Sequence, residues 1–404
     1  MIVVVGTGLA AVCAVEGLRD EGCSAPIMMV GAERDLPYDR PPLSKEFLRG
    51  ETTLEAARIR GDAFYREHNV ELVLGAAAKS LDTHSRELEL EHGRRIPFDK
   101  LLIATGASAR RLPVPGAELD GVLTLRTGAD ALHLKTELAR AGHVVVVGGG
   151  FIGLEVASAA RAMGKHVTVV EAAPQPLARL LHGERVAGAI TQLHRDHGVV
   201  VHTSTTVTEF CGAHRVEEVV LSTGERIPAD VVLVAVGVEP STRWLAGSGI
   251  RLDDGVLTNA SLETNVPGIY AAGDVARALQ PGAEGHARFE HYGAAYEQGV
   301  VAGRLIAGGT AVPNVIPGAG SEQFGVRMQV LGRTAGADRV VVRGSLEART
   351  FAAFFLVEGA VRGAFLMNRV RELPVVRKLV LNRACVDERR IADESQPLVM
   401  PAVA

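Results

Sequence analysis

The chain has 404 residues, of which 47% are hydrophobic and 22% are charged, so it has the composition of a globular protein of about two or three domains. Its net charge of −4 argues against a general affinity for nucleic acid or anionic membranes. No apolar run reaches the ~18 residues that a membrane-spanning helix needs. Because strand residues begin at Ile2, we expect a cytoplasmic protein without a leader segment.

The cysteines show no pattern of a redox or metal site. Cys13, Cys23, Cys211 and Cys385 are scattered along the chain and form no C-x-x-C pair. This spacing argues against a redox-active dithiol, a disulfide framework and a zinc site, so we expect these thiols to pack as small apolar side chains. No metal site is predicted.

The N-terminal segment has the pattern of a dinucleotide-binding unit. A strand at 2–5 leads through the turn GTGLAA at 6–11 into a helix, and a second apolar run, PIMMV at 26–30, is followed by Glu33. Glycines in such a turn let the backbone approach a pyrophosphate at the helix N-terminus, and the acid accepts hydrogen bonds from ribose hydroxyls. The predicted contacts in this unit are Gly6, Gly8, Leu9, Ala10 and Glu33.

The same order of elements returns from residue 144. A strand at 144–147, the turn GGGFIG at 148–153, a helix and the strand HVTVV at 166–170 precede Glu171. Each copy ends in a similar 14-residue segment, at 93–106 and at 224–237. Because the pattern occurs twice, it favours two nucleotide sites over two structural turns. The further predicted contacts are Ala104, Thr105, Gly106, Gly148, Gly150, Phe151, Ile152, Gly153, Glu171 and Gly237.

Two dinucleotide sites in one chain indicate hydride transfer between a nicotinamide and a flavin. The carboxylate of Glu171 at the ribose position repels a 2′-phosphate and accepts a hydrogen bond from a 2′-hydroxyl, so NADH is the predicted nicotinamide. Arg179 follows a few residues later and offers a cation to a phosphate, which leaves NADPH as the alternative.

Two longer motifs resemble one protein family. They are LPYDRPPLSKEFLRG at 36–50 and TNVPGIYAAGDVAR at 264–277. With the two glycine turns, they make the chain similar, over nearly its whole length, to flavoproteins with two dinucleotide-binding domains. Within that group it resembles the FAD-dependent ferredoxin reductases of bacterial oxygenase systems and the related apoptosis-inducing factors. The resemblance implies FAD and NADH as cofactors.

The resemblance also implies roles for single residues. Arg40 is expected to contact the FAD pyrophosphate, and Asp274, after Gly273, to bind the ribityl chain. Lys45 is expected to reach the flavin ring, where a cation stabilises arriving negative charge; alternatively, it is a solvated lysine beside a helix start. Glu155 matches a carboxylate near the nicotinamide, or is a charged residue whose sign suits the helix dipole. Lys45 and Glu155 are the predicted catalytic residues.

The order of the motifs predicts an α/β fold with two Rossmann-like dinucleotide-binding domains, the NADH domain being inserted in the FAD domain, and a small α+β domain at the C-terminus. The predicted FAD-binding domain covers 1–110 and 240–315, and the NADH-binding domain covers 111–239. Alternating apolar runs in 316–404 indicate a small antiparallel sheet followed by helices. The resemblance implies that this last domain forms an interface or a dimer contact.

Two departures from the family pattern bear on the electron acceptor. Ala319 and Gly320 stand where family members carry an aromatic pair, and Tyr292, beside His291, stands where the reductases usually carry a tryptophan. We therefore expect an open flavin face, unless Phe324 or Tyr292 fills the gap. His291 and Tyr292 are included among the predicted cofactor contacts.

Three functions stay open at this point. The favoured one is an NADH-dependent reductase that passes electrons singly to a [2Fe–2S] ferredoxin serving an oxygenase or a P450, as a monomer or homodimer. The second is a flavin oxidase, or an oxidoreductase that acts on a small organic substrate at an open flavin face. The third is an NADH-sensing flavoprotein of the apoptosis-inducing-factor type. No nucleic-acid or membrane partner is predicted.

Overall fold

The computed structural model describes residues 1–280 and 285–401, which fall into two compact units. Parts of the predicted domain ranges 240–315 and 316–404, namely residues 281–284 and 402–404, lie outside the described residues. Unit 1 comprises Met1–Arg40, Thr53–Ser108 and Val238–Val315, and unit 2 comprises Pro41–Thr52, Ala109–Gly237 and Ile316–Ala404.

The described chain contains segments in which strands and helices alternate and also long runs of consecutive strands. The strands are β1 (Ile2–Val5), β2 (Ile27–Gly31), β3 (Val70–Leu74), β4 (Ala78–Asp82), β5 (Glu87–Leu90), β6 (Arg95–Pro97), β7 (Lys100–Ile103), β8 (Ala107–Ala109), β9 (Val122–Leu123), β10 (His143–Val147), β11 (His166–Val170), β12 (Val200–His202), β13 (Val207–Cys211), β14 (Glu218–Leu221), β15 (Arg226–Pro228), β16 (Val231–Val234), β17 (Val238–Pro240), β18 (Val256–Thr258), β19 (Ile269–Ala271), β20 (Ala276–Leu279), β21 (His286–Arg288), β22 (Gly318–Gln323), β23 (Val326–Gly332), β24 (Arg339–Ser345), β25 (Thr350–Val357) and β26 (Ala360–Met367). The helices are α1 (Leu9–Asp20), α2 (Glu46–Arg49), α3 (Asp62–Glu67), α4 (Gly128–Arg140), α5 (Phe151–Ala162), α6 (Glu184–Asp196), α7 (Tyr292–Ala307), α8 (Leu373–Leu381) and α9 (Glu388–Ala392). Short 3-10 turns occur at Pro41–Ser44, Arg243–Leu245 and Val370–Glu372. Within 1–280 and 285–401, no helix combines the length and the apolarity that crossing a membrane requires.

A five-stranded parallel sheet forms the centre of unit 1, in the order β19-β7-β1-β2-β3. β1, at its middle, consists of four β-branched residues that are all buried, as expected of a parallel strand covered on both faces. Ile2 lies opposite Ile27 of β2 and Lys100 of β7. The carboxyl ends of these three strands therefore meet at one edge of the sheet, and the predicted site residues follow them there.

Unit 2 contains a second five-stranded parallel sheet, in the order β12-β11-β10-β16-β9. Val144 of β10 lies opposite Val167 of β11 and Val231 of β16. The strands predicted at 144–147 and 166–170 are confirmed. β10, β11, β12 and β16 thus repeat the arrangement of β1, β2, β3 and β7, so the duplicated sequence pattern produces two sheets of like connectivity.

The C-terminal part of unit 2 is a five-stranded antiparallel sheet, in the order β22-β23-β26-β25-β24. One apolar face of β25 and β26, which includes Phe354 and Leu366, forms a core with Val376 and Leu379 of α8. α9 packs on β24. The prediction of a small antiparallel sheet followed by helices is confirmed for the described residues.

The cysteines differ in exposure. Cys13 is buried, Cys23 and Cys211 are half-buried, and Cys385 is exposed. The expectation of packed thiols is therefore correct for Cys13 and wrong for Cys385, because Cys385 lies in the connection between α8 and α9 and not on the apolar face of either helix.

Helices α1 and α7 of unit 1 pack closely through small residues. Gly17 of α1 and Gly299 and Gly303 of α7 are all buried. A Cβ atom at Gly303 would clash with the carbonyl oxygen of Ala14 and would lie 2.8 Å from the backbone nitrogen of Leu18. The backbones of the two helices therefore approach each other too closely for any side chain at this position.

We expect Gly303→Ala to lower the free energy of unfolding by about 1–3 kcal/mol, because backbone atoms cannot move aside as a flexible side chain can. Gly188→Ala is the matched control, since Gly188 also lies inside a helix, α6, but has open space around it. That change should be neutral or stabilising by up to about 1 kcal/mol, through helix propensity. Thermal unfolding followed by circular dichroism measures the stability of both variants. Equal unfolding temperatures for Gly303→Ala and Gly188→Ala would contradict the close packing.

Candidate functional site

The first glycine turn joins β1 to α1. Gly6 has a φ of +122°, and a Cβ there would clash with the carbonyl oxygen of Ala104, so the turn requires glycine. α1 starts at Leu9 after Gly8, which has no side chain to cap the helix. The first N–H groups of a helix have no intrahelical acceptor. Leu9 and Ala10 therefore offer backbone donors to an anion such as a phosphate.

Glu33 and Arg40 lie together beside this turn. The carboxylate of Glu33 accepts hydrogen bonds from the Tyr38 hydroxyl and from the Arg40 guanidinium, at 2.8 Å for Arg40. The Arg40 guanidinium also lies 3.2 Å from the position of a Cβ at Gly8. A cation and an acid are thus held within reach of the same glycine turn. Sequence reasoning missed Tyr38, although it stands inside the motif that contains Arg40.

The chain returns to this turn through two further predicted segments. Ala104, Thr105 and Gly106 follow β7, and the Thr105 hydroxyl donates to the carbonyl of Ser241 at 2.9 Å. A Cβ at Gly273 would lie 3.1 Å from the Cβ of Ala10. The Gly273 N–H donates to Gln298 Oε1 at 2.9 Å. Unit 1 therefore brings its predicted residues together around β1, and Gln298, which sequence reasoning missed, anchors the Gly273 turn.

His291 and Tyr292 lie at the start of α7. His291 is the N-cap residue, and its Nδ1 accepts from the Ala294 N–H at 3.1 Å. Burial lowers the pKa of His291, against the opposing charge of Asp274, so its ring is neutral near pH 7. Tyr292 is half exposed and hydrogen-bonds Asp39, and burial raises the pKa of that carboxyl. His291 therefore caps the N-terminus of α7, and Tyr292 is the more exposed of the two side chains.

The second glycine turn, in unit 2, joins β10 to α5. The carboxylate of Glu171 accepts hydrogen bonds from the Gly149 N–H at 2.6 Å and from the Ala173 N–H at 2.7 Å. A rigid acid beside a glycine turn is the arrangement that a ribose hydroxyl needs. The Arg179 guanidinium lies 3.4 Å from the position of a Cβ at Gly237. The remaining predicted contacts of this turn are Gly148, Gly150, Phe151, Ile152 and Gly153, which stand at the end of β10 and the start of α5.

The two predicted catalytic residues meet in unit 2. Lys45 Nζ lies 3.0 Å from Glu155 Oε2, and their side chains are only 13% and 6% exposed. Lys45 also donates to the carbonyl of Pro41 at 2.6 Å, and the Ser44 hydroxyl donates to Glu155 Oε2. The alternative of a solvated lysine does not agree with this burial, whereas Glu155, near the start of α5, still has a sign that suits the helix dipole.

The other oxygen of Glu155 has a partner that sequence reasoning missed. Ser321 of β22 donates to Glu155 Oε1 at 2.7 Å. The two residues are 166 positions apart in the sequence. The only sequence signal for this contact is that Ser321 directly follows Ala319 and Gly320, which depart from the family pattern. Both oxygens of the carboxylate are thus hydrogen-bonded, as a buried charge requires.

Ala319, Gly320 and Phe324 lie on β22 or directly after it, and Gly320 is exposed. The Phe324 ring stacks on His197, with 4.0 Å between the ring centroids. Phe324 therefore packs against α6 within unit 2, and Tyr292 belongs to unit 1.

Two family models match the chain. A pyridine nucleotide-disulphide oxidoreductase model matches residues 1–299, and a reductase C-terminal model matches residues 320–400. Among curated proteins, the chain is 36% identical over 393 residues to rhodocoxin reductase of Rhodococcus erythropolis, which covers 97% of this chain and 92% of that protein. It is also 36% identical over 395 residues to the ferredoxin–NAD(+) reductase component of the biphenyl dioxygenase system of Paraburkholderia xenovorans. That match covers 97% of this chain and 96% of the relative.

Solved structures agree with these matches. The ferredoxin reductase for the CYP199A2 system from Rhodopseudomonas palustris superposes with a TM-score of 0.95 at 34% identity, over 98% of both chains. The covalent putidaredoxin reductase–putidaredoxin complex matches with a TM-score of 0.93 at 32% identity, over 98% of this chain and 96% of that one.

Proposed function

Because the chain belongs to the pyridine nucleotide-disulphide oxidoreductases and carries a reductase C-terminal domain, we propose that it is an NADH-dependent, FAD-containing reductase of a [2Fe–2S] ferredoxin. The family and the fold class predicted from the sequence are confirmed by the same matches. The observation that carries the proposal is a duplicated nucleotide unit in a chain without a cysteine pair. Without a dithiol, electrons leave the flavin directly, which suits a one-electron acceptor.

The residues around β1 suit FAD. The Gly6 turn leaves no room for a side chain, and the Arg40 guanidinium stands between Gly8 and Glu33. In this proposal Arg40 and the N-terminus of α1 hold the pyrophosphate, Glu33 binds ribose, and Asp274 binds the ribityl chain. When bound, FAD accepts a hydride from NADH and releases the electrons one at a time.

The residues around β10 suit NADH. The turn at 148–153 holds the pyrophosphate, and Glu171, already fixed by two backbone N–H groups, accepts hydrogen bonds from the adenine ribose. We therefore assign 1–110 and 240–315 to FAD binding, 111–239 to NADH binding and 316–404 to the interface domain.

Lys45 and Glu155 are the candidate catalytic pair. In this proposal Lys45 places its ammonium at the flavin ring, and Glu155 stands near the nicotinamide. The ammonium is held between Glu155 and the carbonyl of Pro41, so its position is set before any ligand binds. A preorganised cation needs no rearrangement when charge arrives, which is the condition for effective electrostatic catalysis.

The names of the relatives point to the partner. Several are ferredoxin–NAD(+) reductase components of dioxygenase systems, and one is putidaredoxin reductase. We propose that this chain likewise reduces a ferredoxin that serves an oxygenase or a P450, in the cytoplasm, as a monomer or homodimer. Nucleic acid and membranes have no part in the proposal.

The proposed function predicts a yellow protein that releases FAD on heating. When the protein is mixed anaerobically with NADH in a stopped-flow instrument, the flavin absorbance should bleach. In a second mixing step, a [2Fe–2S] ferredoxin should restore the absorbance of the reduced protein faster than oxygen does. Release of FMN would contradict the assignment of unit 1. Faster restoration by oxygen would support the oxidase alternative, and slow restoration by both would support the NADH sensor.

Glu171→Ser should raise kcat/KM for NADPH relative to NADH by about tenfold, the equivalent of ~1.4 kcal/mol, because one charge that repels the 2′-phosphate is removed. Glu184→Ser is the matched control, since it removes an exposed acid of the same unit at the start of α6. Steady-state kinetics with both coenzymes measures the ratio. An equal change in the two variants, or a parent protein that prefers NADPH, would refute the role of Glu171.

A further inference from the structure

A chain of hydrogen bonds extends from Glu155 into the interior of unit 2. Ser321 donates to Glu155 Oε1 at 2.7 Å, and Gln323 Nε2 donates to the Ser321 hydroxyl at 3.0 Å. Gln323 Oε1 lies 2.8 Å from His194 Nε2. This series of hydrogen bonds thus links α5, β22 and α6 through four side chains.

All four side chains are buried. Glu155 is 5% exposed, Ser321 9%, Gln323 1% and His194 fully buried. A polar group in such surroundings is costly unless it is hydrogen-bonded, and a connected network fixes the position of every member. These residues are therefore not free to take other rotamers.

In this series of hydrogen bonds each residue donates to the next one toward Glu155. Because the Gln323 carbonyl accepts from His194, the ring carries its proton on Nε2, and Nδ1 is buried without a hydrogen-bond partner. Burial lowers the pKa of His194 to about 4, so the ring stays neutral at physiological pH. His194 donates to Gln323, Gln323 donates to Ser321, and Ser321 donates to Glu155.

We propose that Ser321, Gln323 and His194 are positioning residues that orient the carboxylate of Glu155 toward Lys45. The proposal rests on the proposed function, in which Lys45 and Glu155 act at the flavin and the nicotinamide. With Oε1 occupied by Ser321, Oε2 is the oxygen that faces Lys45 and Ser44. Without that hydrogen bond only the contacts of Oε2 with Lys45 and Ser44 hold the carboxylate, whose own terminal torsion has only broad preferences.

The proposal gives the first strand of the C-terminal sheet a part in positioning Glu155. β22 carries both Ser321 and Gln323 on one face, two residues apart, as the period of a strand requires. Both are buried, while Glu322 between them is exposed. This strand therefore offers a donor, the Ser321 hydroxyl, to α5 and an acceptor, Gln323 Oε1, to α6, and it does more than cover an apolar face.

Ser321→Ala should slow flavin reduction by saturating NADH about tenfold, since a hydrogen bond to a charged group is lost, with FAD content unchanged. Ser158→Ala is the matched control, because Ser158 also lies on α5 and accepts from the Phe324 N–H at 2.9 Å, but is outside the chain to Glu155. Ser321→Cys keeps the shape with a weak donor, and replaces the alanine variant if that variant does not retain FAD.

Two readouts separate positioning from general packing. In a Glu155→Ala background, Ser321→Ala should cause no further slowing, because the two changes then act on one interaction. In ¹⁵N-histidine NMR spectra of the FAD-bound protein, His194 should show a single neutral tautomer with its proton on Nε2, and Gln323→Leu should abolish that preference.

Equal rates for Ser321→Ala and Ser158→Ala, additive effects with Glu155→Ala, or a His194 tautomer unaffected by Gln323→Leu would overturn the inference while leaving the proposed function intact. A parent protein whose flavin is not reduced by NADH would instead overturn the proposed function.

Discussion

The buried ion pair between Lys45 and Glu155 requires hydrogen-bond partners from several elements of unit 2. Removing two charges from water costs several kcal/mol per ion, and their attraction compensates only if other hydrogen bonds satisfy the remaining atoms. The Pro41 carbonyl, the Ser44 hydroxyl and the Ser321 hydroxyl supply those bonds. The 3-10 turn at Pro41–Ser44, helix α5 and strand β22 are therefore fixed to one another by polar contacts as well as by apolar packing.

The glycine turns impose the second constraint. At the end of β1, and again at the end of β10, the backbone passes so close to a neighbouring strand that a side chain would meet a carbonyl group. Each turn starts a helix whose first N–H groups have no intrahelical acceptor, and each is flanked by an acid, Glu33 or Glu171, held by local hydrogen bonds. The same local geometry thus occurs twice in the chain, once in each unit, and the ion pair lies in the unit that contains the second turn.

Much of this was predictable from the sequence because it depends on short-range patterns. β-branched runs predicted the central strands, the spacing of glycine and acid predicted two nucleotide units, and the resemblance of the motif at 36–50 to a known family made Arg40 and Lys45 candidates. The fold class followed from the order of these elements. The partners of those residues were not predictable. Ser321 is 166 positions from Glu155, and Lys45 is 110 positions from it, so no local pattern links them. Tyr38 was missed for another reason: its hydroxyl bonds Glu33 through a loop whose path the sequence does not specify.

The most direct test of this account compares flavin reduction by NADH in Lys45→Met and Lys135→Met. Lys135 is a lysine of the same unit whose ammonium lies 4.9 Å from the ring centroid of Phe47 and has no part in the Glu155 pair. Lys45→Met should slow reduction at least about tenfold with its FAD content unchanged, while Lys135→Met should keep the parent rate. Equal rates in the two variants, at equal FAD content, would contradict this account.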